Sequence, residues 1–215
     1  MGIYVFNRDM LIKLLDNAFT DFGKHIIPGA IQTHRVYSYV FQGYWEDIGT
    51  IRSFFEANLD VTSELPRFNF FDMSAPIFTR PRFLPASKIN GAQIDHAMIS
   101  DGCIINRAKI RHSIVGVRSV LNDGCDLNRT IMLGCDYYES LDSIRRHEST
   151  GLPRIGVGHS TRIENAIIDK NARIGNNCVI SPAGKADNVD HELYYIRDGI
   201  VIIPKNGVVP HGAWI

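Results

Sequence analysis

No stretch of the chain approaches the roughly 20 consecutive apolar residues that a membrane-spanning helix needs. The start, Met-Gly-Ile-Tyr-Val-Phe, has no basic segment and no long apolar one, so it does not read as a signal peptide. It also lacks the Ser or Thr at position six that myristoylation requires. Charge of one sign is missing too: 23 Lys and Arg face 23 Asp and Glu. Binding to nucleic acid through bulk charge is thereby excluded. Cysteine is scarce. Cys103, Cys125, Cys135 and Cys178 form no C-x-x-C pair, which argues against a zinc site and fits small buried wall residues in a reducing, cytoplasmic compartment. No G-x-G-x-x-G is present. His96, His112, His159, His191 and His211 show no shared spacing for a three-histidine metal site and read as surface or corner residues.

What is present is a period. An aliphatic residue returns at about every fifth or sixth position, as Ile94, Ile99, Ile105, Ile110, Val115 and Val120, then Ile163, Ile168, Ile174 and Ile180. Neither a helix nor an ordinary strand has that spacing. A solenoid whose coils have three short faces does, with one inward aliphatic per face. Asn90-Gly91, Asp101-Gly102, Asn122-Asp123-Gly124 and Gly175-Asn176-Asn177 suit its corners, because Gly and Asn accept positive φ at little cost. Cys103 and Cys125 each follow an Asp-Gly and read as one corner repeated a coil later. A parallel β-helix of hexapeptide repeats is expected from about residue 89 to 215. A charged excursion at residues 136–153, helical over 140–148, interrupts it, and an apolar strand region at 196–203 precedes its close.

The first 64 residues read differently. Residues 2–6 form an apolar run expected to be a buried strand, and one that begins at Met1 suggests a chain cut short. Asn7 can cap a helix with the stripe Met10, Leu11, Leu14, Leu15 and Ala18. Asp21-Phe22-Gly23 reads as a loop or helix entry, residues 35–41 as an alternating strand, and residues 51–61 as an amphipathic helix. The order is that of an α/β domain. Residues 65–88, with Pro66, Pro76, Pro81 and Pro85 among aromatics, read as an extended linker packed on a surface.

Chemistry has few candidate carriers. In Tyr44-Trp45-Glu46-Asp47-Ile48-Gly49-Thr50, Trp45 could cover a sugar face and Asp47 could hold a hydroxyl or a hard cation. A buried Trp with a helix N-terminal Asp explains the same residues. Asp21 is a second carboxylate or a simple N-cap, and Tyr4 is a site hydroxyl or core. Lys170 and Lys205 could bind an anion from neighbouring coils or stand as solvated corner residues. Arg80, Arg82 and Lys88 make a comparable basic cluster.

Residues 2–6, 21–23, 44–50, 81–85, 112–116 and 168–175, taken in order, resemble the C-terminal half of glucose-1-phosphate adenylyltransferases (ADP-glucose pyrophosphorylases). The resemblance covers essentially the whole chain. It implies an α/β remnant of a Rossmann-like nucleotidyltransferase domain (1–64), a linker (65–88) and a left-handed parallel β-helix for oligomerisation and allostery (89–215). It implies that Asp47 is one of two aspartates holding catalytic Mg²⁺. Tyr4, Asp21, Phe22 and Trp45 would line a glucose 1-phosphate pocket. Lys170 and Lys205 would bind a phosphorylated activator, and Arg82 and Lys88 would form a nearby allosteric anion site, within a homotetrameric parent. The resemblance places the family's nucleotide loop, its first metal aspartate and its Glu-Lys-Pro motif upstream of Met1. ATP binding and turnover by the 215 residues alone are therefore not expected. A mannose-1-phosphate guanylyltransferase-like enzyme, a hexapeptide acyltransferase using a base such as His112, and a non-catalytic assembly subunit are the other readings.

Overall fold

The computed structural model describes residues 2–215, the side chain of Glu148 apart. The chain divides into two compact units, Met1–Asp47 and Ile48–Ile215.

The second unit is built on two parallel ladders. One stacks Lys88–Asn90, Ile104–Asn106, Val120–Leu121, Gly156–Val157, Arg173–Ile174 and Val208–Val209. The other stacks the seven-residue strands Gln93–Ile99, Lys109–Val115, Asp126–Met132 and Arg162–Ile168. Each of these strands is bent at its middle by a left-handed residue: His96, His112, Arg129 or Asn165. The two halves of Arg162–Ile168, on either side of Asn165, then take different partners on the next coil. Val179–Ile180 pairs with the first half of Arg162–Ile168, and Ile200–Ile203 with the second. A coil thus has three faces, and Asn90 meets Asn106 across a step of 16 residues.

The expected aliphatic series is the core. Ile105, Ile110, Val115, Ile163, Ile168, Ile174 and Ile180 are buried in one cluster with Leu127, Ile203 and Val209. Each contributes about 1.5–3 kcal/mol relative to an exposed position. Two members differ. Leu121, not Val120, points inward, because Leu121 stacks in register on the buried Ile105 of the preceding coil, whereas Val120 stacks on the exposed Ile104. Ile94 is 41% exposed, because it lies on the first coil. The four cysteines are buried and free. Cys103 and Cys125 do not share a corner. The Cys103 carbonyl accepts from Lys88 ahead of the first ladder, whereas the Cys125 carbonyl accepts from Lys109 ahead of the second.

Two excursions lengthen the step. The first carries α4 (Leu141–Thr150), close to its expected position. The second forms antiparallel pairs of Val189–Asp190 with Tyr195–Arg197, and of the latter with Ile200–Ile203. Asp198-Gly199 turns this last hairpin with positive φ at both residues.

α3 (Ile51–Asp60) starts at a Thr50–Ser53 capping box. Its Phe55 and Leu59 bury against Ile131, Ile167 and Ile200 of the β-helix. Arg129 covers the Phe55 ring and reaches Glu56 at 3.0 Å. The linker is not extended throughout: residues 65–75 run through turns and bends and residues 76–87 carry no regular structure, and Leu65, Phe71, Met73, Phe78 and Phe83 are exposed rather than packed.

In the first unit, α1 (Arg8–Leu14) is capped by the Asn7 side chain. It ends before Ala18. A π-helical turn, Phe22–Ile26, leads into α2 (Ile27–Thr33), with Pro28 in its first turn. The two expected strands are absent. Residues 2–6 and 35–41 carry no regular structure and pair with no ladder among the described residues, and Val5 is 97% exposed. A strand needs neighbours to pair its backbone, and none is found among the described residues of this unit.

Candidate functional site

One corner of the β-helix concentrates polar chemistry. Lys170-Asn171 and Lys205-Asn206 turn it on adjacent coils. Both asparagines take left-handed backbone, with φ of 61° and 60°, a conformation Asn tolerates. The Asn206 N–H donates to the Lys170 carbonyl at 2.9 Å, so the two lysines emerge side by side. The first excursion leaves at this corner and delivers Asp136 between them. Lys170 Nζ lies 3.1 Å from Asp136 Oδ1 and Lys205 Nζ 3.7 Å from Oδ2. Asn171 Nδ2 donates to Asp136 Oδ2 at 3.1 Å and to Asn206 Oδ1 at 3.2 Å, while Asn171 Oδ1 accepts from the Asp136 N–H. Hydrogen bonds from Lys170 and then from Asn171 hold the Asp136 carboxyl below the usual carboxylate range. Two ammonium groups and an amide therefore converge on one carboxylate, an arrangement able to clamp any small oxyanion.

The excursion is fixed by a buried buckle just after Asp136. Glu139 Oε1 lies 2.7 Å from Arg173 Nη1, and the two side chains are 6% and 12% exposed. Glu139 Oε2 accepts from the Ile155 N–H at 2.7 Å, and Oε1 lies 2.8 Å from His147 Nδ1. Burial alone would raise the Glu139 carboxyl. The Ile155 N–H, the Arg173 bond and charge, and His147 outweigh it and hold the group low. Tyr138 adds a hydrogen bond to the Gly102 carbonyl at 2.8 Å.

In the first unit, Tyr4 stacks on Phe22 with ring centroids 6.0 Å apart, and Phe6 packs on both. Asp21 caps the turn through Oδ1 and the Lys24 N–H at 2.8 Å. Its carboxylate and the Tyr4 hydroxyl both border Gly23, where an added Cβ would lie 3.5 and 3.9 Å from them. Tyr4, Asp21 and Phe22 are thus brought together, on a partly exposed surface. Trp45 and Asp47 lie exposed further along the unit.

Comparison with known proteins places these features in a family. The model of the GLGC left-handed parallel beta-helix domain matches residues 82–214. The chain belongs to that family. The nucleotidyl transferase model matches residues 1–64. The coil is therefore left-handed, a departure from the usual right-handed crossover between parallel strands. Among curated proteins, "Glucose-1-phosphate adenylyltransferase large subunit 1, chloroplastic/amyloplastic" of Zea mays is 44% identical over 220 residues, covering 100% of this chain. The chain spans 43% of that relative's length.

Within this GLGC-type β-helix, Lys88 and Arg82 stand apart from the lysine pair. Lys88 sits on the first strand of its ladder, and Lys170 precedes the fifth. Four strand spacings of about 4.8 Å separate them, near 19 Å. Arg82 donates to the Arg80 carbonyl at 3.4 Å and is exposed. Sequence reasoning missed Asp136, Asn171 and Glu139. The Lys-Asn dipeptide repeated 35 residues apart was the available signal for the asparagines. For Asp136 there was none, since only the excursion's path brings it there. Also missed was a cleft of about 320 Å³ bordered by Asn122, Arg154, His159, Asn176 and His211.

Proposed function

We propose that this chain is the C-terminal part of an enzyme that makes ADP-glucose and pyrophosphate from ATP and glucose 1-phosphate, for glycogen or starch synthesis. The observation that carries the reading is 44% identity along the whole chain to a relative of that name. In the reaction a phosphate oxygen of the sugar phosphate bonds to the α-phosphorus of ATP, and the bond to the departing pyrophosphate breaks. In this reading residues 1–64 close the catalytic domain, 65–88 link, and 89–215 carry subunit contacts in a homotetramer and the allosteric site. Tyr4, Phe22 and Trp45 offer exposed aromatic faces suited to a sugar ring, and Asp21 an acceptor for its hydroxyls. Mg²⁺, when bound, would neutralise phosphate charge. Asp47, an exposed hard-oxygen donor, fits one of the one or two carboxylates such a site needs.

Lys170 and Lys205 are the proposed seat of a phosphorylated activator, with Asp136 as a tethered anion that holds the lysines until phosphate displaces it. Arg82 and Lys88 would serve a separate anion contact, given their distance from the pair. The working compartment is proposed as the cytoplasm. A plastid is the second reading, because the maize relative's name states one. Among the described residues no helix is long and apolar enough to cross a membrane.

The test is pyrophosphorolysis by the native polypeptide purified from its source. ADP-glucose with pyrophosphate and Mg²⁺ should release ATP, and Asp47→Asn should abolish it. Preference for GDP-mannose would move the assignment to the guanylyltransferase reading. Turnover of no nucleotide sugar, with stable co-purification of a longer homologue, would leave the assembly-subunit reading.

A further inference from the structure

We infer that Asp95, His96 and His112 form a binding site for a borderline divalent transition metal that clips the first coil of the β-helix to the second. The site has no part in the nucleotidyltransferase reading. His96 and His112 occupy the same corner on consecutive coils, each between residues in register: Asp95 with Arg111 and Ala97 with Ser113. Both take left-handed backbone, with φ of 47° and 43°. That conformation turns both side chains the same way off the corner, and the ring centroids lie 4.9 Å apart at a 32° tilt. Asp95 Oδ1 is 2.7 Å from His96 Nδ1. One donor atom from each of the three residues lies within 4.8 Å of the others, and among the described residues this is the one such grouping of three or more potential ligands.

The surrounding cations are held elsewhere. Arg111, opposite Asp95, pairs with Asp126 Oδ1 at 2.7 Å. Arg129, at the same corner one coil on, is drawn away from His112. Its Nε donates to Asn165 Oδ1 at 2.9 Å and its Nη2 to Glu56 Oε1 at 3.0 Å. Neither guanidinium is therefore left to repel a bound cation.

Two imidazoles and one carboxylate select Zn²⁺, Cu²⁺, Ni²⁺ or Co²⁺ over Mg²⁺ or Ca²⁺, which prefer all-oxygen shells. Three protein ligands leave the remaining position to water. A small closure of the donors toward 2.0–2.2 Å contacts would complete the shell. Asp95 and His96 belong to the first coil, where Ile89 and Ile94 are both exposed, and His112 would tie that coil to the second. A metal bound there stabilises the folded state by mass action and should slow opening of the first coil.

The test uses the whole chain stripped with EDTA. Titration with Co²⁺ should saturate at one equivalent with visible d–d absorption, and Zn²⁺ should bleach it. Zn²⁺ should raise Tm and slow amide exchange over residues 88–99, whereas Mg²⁺ should do neither. His96→Ala and His112→Ala should each weaken Co²⁺ binding by at least about tenfold and cancel the Tm shift. Equal metal-free melting of variants and wild type would show that both variants fold. No d–d band in the wild type, or the same band and Tm shift in the double histidine variant, would overturn the inference. The second outcome would send the metal to the other surface histidines.

Discussion

Replacing Glu139 with Ala strips the buckle of the first excursion and leaves Arg173 buried without its carboxylate. The pair is 2.7 Å apart with both side chains largely out of water. Removing one partner of a buried pair costs about 3–5 kcal/mol, most of it the desolvation of the stranded charge. The Ile155 N–H loses its acceptor at the same time, a cost that overlaps with the first rather than adding to it. Against a total stability of about 5–15 kcal/mol this is a large fraction. With a urea slope of about 2 kcal/mol per M, the midpoint should fall by roughly 1.5–2.5 M. The assay is urea unfolding followed by far-UV circular dichroism, with limited proteolysis over residues 136–153 as a local readout. Glu139→Leu combined with Arg173→Met should be less destabilised than either single change, because an apolar pair leaves no stranded charge. A loss under about 1 kcal/mol for Glu139→Ala, or strict additivity in the double variant, would refute the buckle.

The remaining predictions concern charge, thiols and backbone. Glu139 and Asp136 both have depressed carboxyls. The stability they give should be complete above about pH 5 and be lost as pH falls below about 4, a loss that Glu139→Ala should flatten in a pH series of thermal melts. Burial pushes the Cys125 thiol up to about 12 and Cys135 to about 11, so at pH 8 the folded chain should resist an aromatic disulfide reagent that labels all four cysteines in urea. Lys170→Ala or Lys205→Ala should each weaken orthophosphate binding about tenfold, and Asp136→Asn should strengthen it, by calorimetry on the whole chain. An unchanged affinity in all three would remove the anion site. Gly156 has φ of +106°, and an added Cβ would lie 2.4 Å from the Val120 carbonyl oxygen. Gly156→Ala should therefore lower stability by about 3 kcal/mol in the same urea assay.

The β-helix was legible in the sequence because its physics is local and repeated. Each face needs one aliphatic residue inside and each corner a residue that tolerates positive φ, and both recur along the chain. Hence most of the core series, the buried cysteines, the excursion with α4, and the cap at Asn7 agree with the structure. The first 64 residues were less legible. Residues 2–6 and 35–41 have strand composition, but a strand exists only by pairing, and no partner lies among the described residues of their unit. Helix 51–60 followed from its own periodicity. That its Phe55 and Leu59 pack on Ile131, Ile167 and Ile200 depends on residues more than 70 positions away.

Lys170 and Lys205 were named from sequence, as was a shared anion as one use for them. The sequence could not place Asp136 between them, because the excursion's path is set by Glu139 on Arg173, two residues far apart along the chain. Nor could it pair His96 with His112. Their 16-residue step has meaning only once the coil length is fixed and both residues are seen to turn the same corner. Sequence alone thus determined the repeat, its core and its family resemblance. Which side chains meet was decided by the stacking of coils, since stacking converts distance along the chain into contact across it.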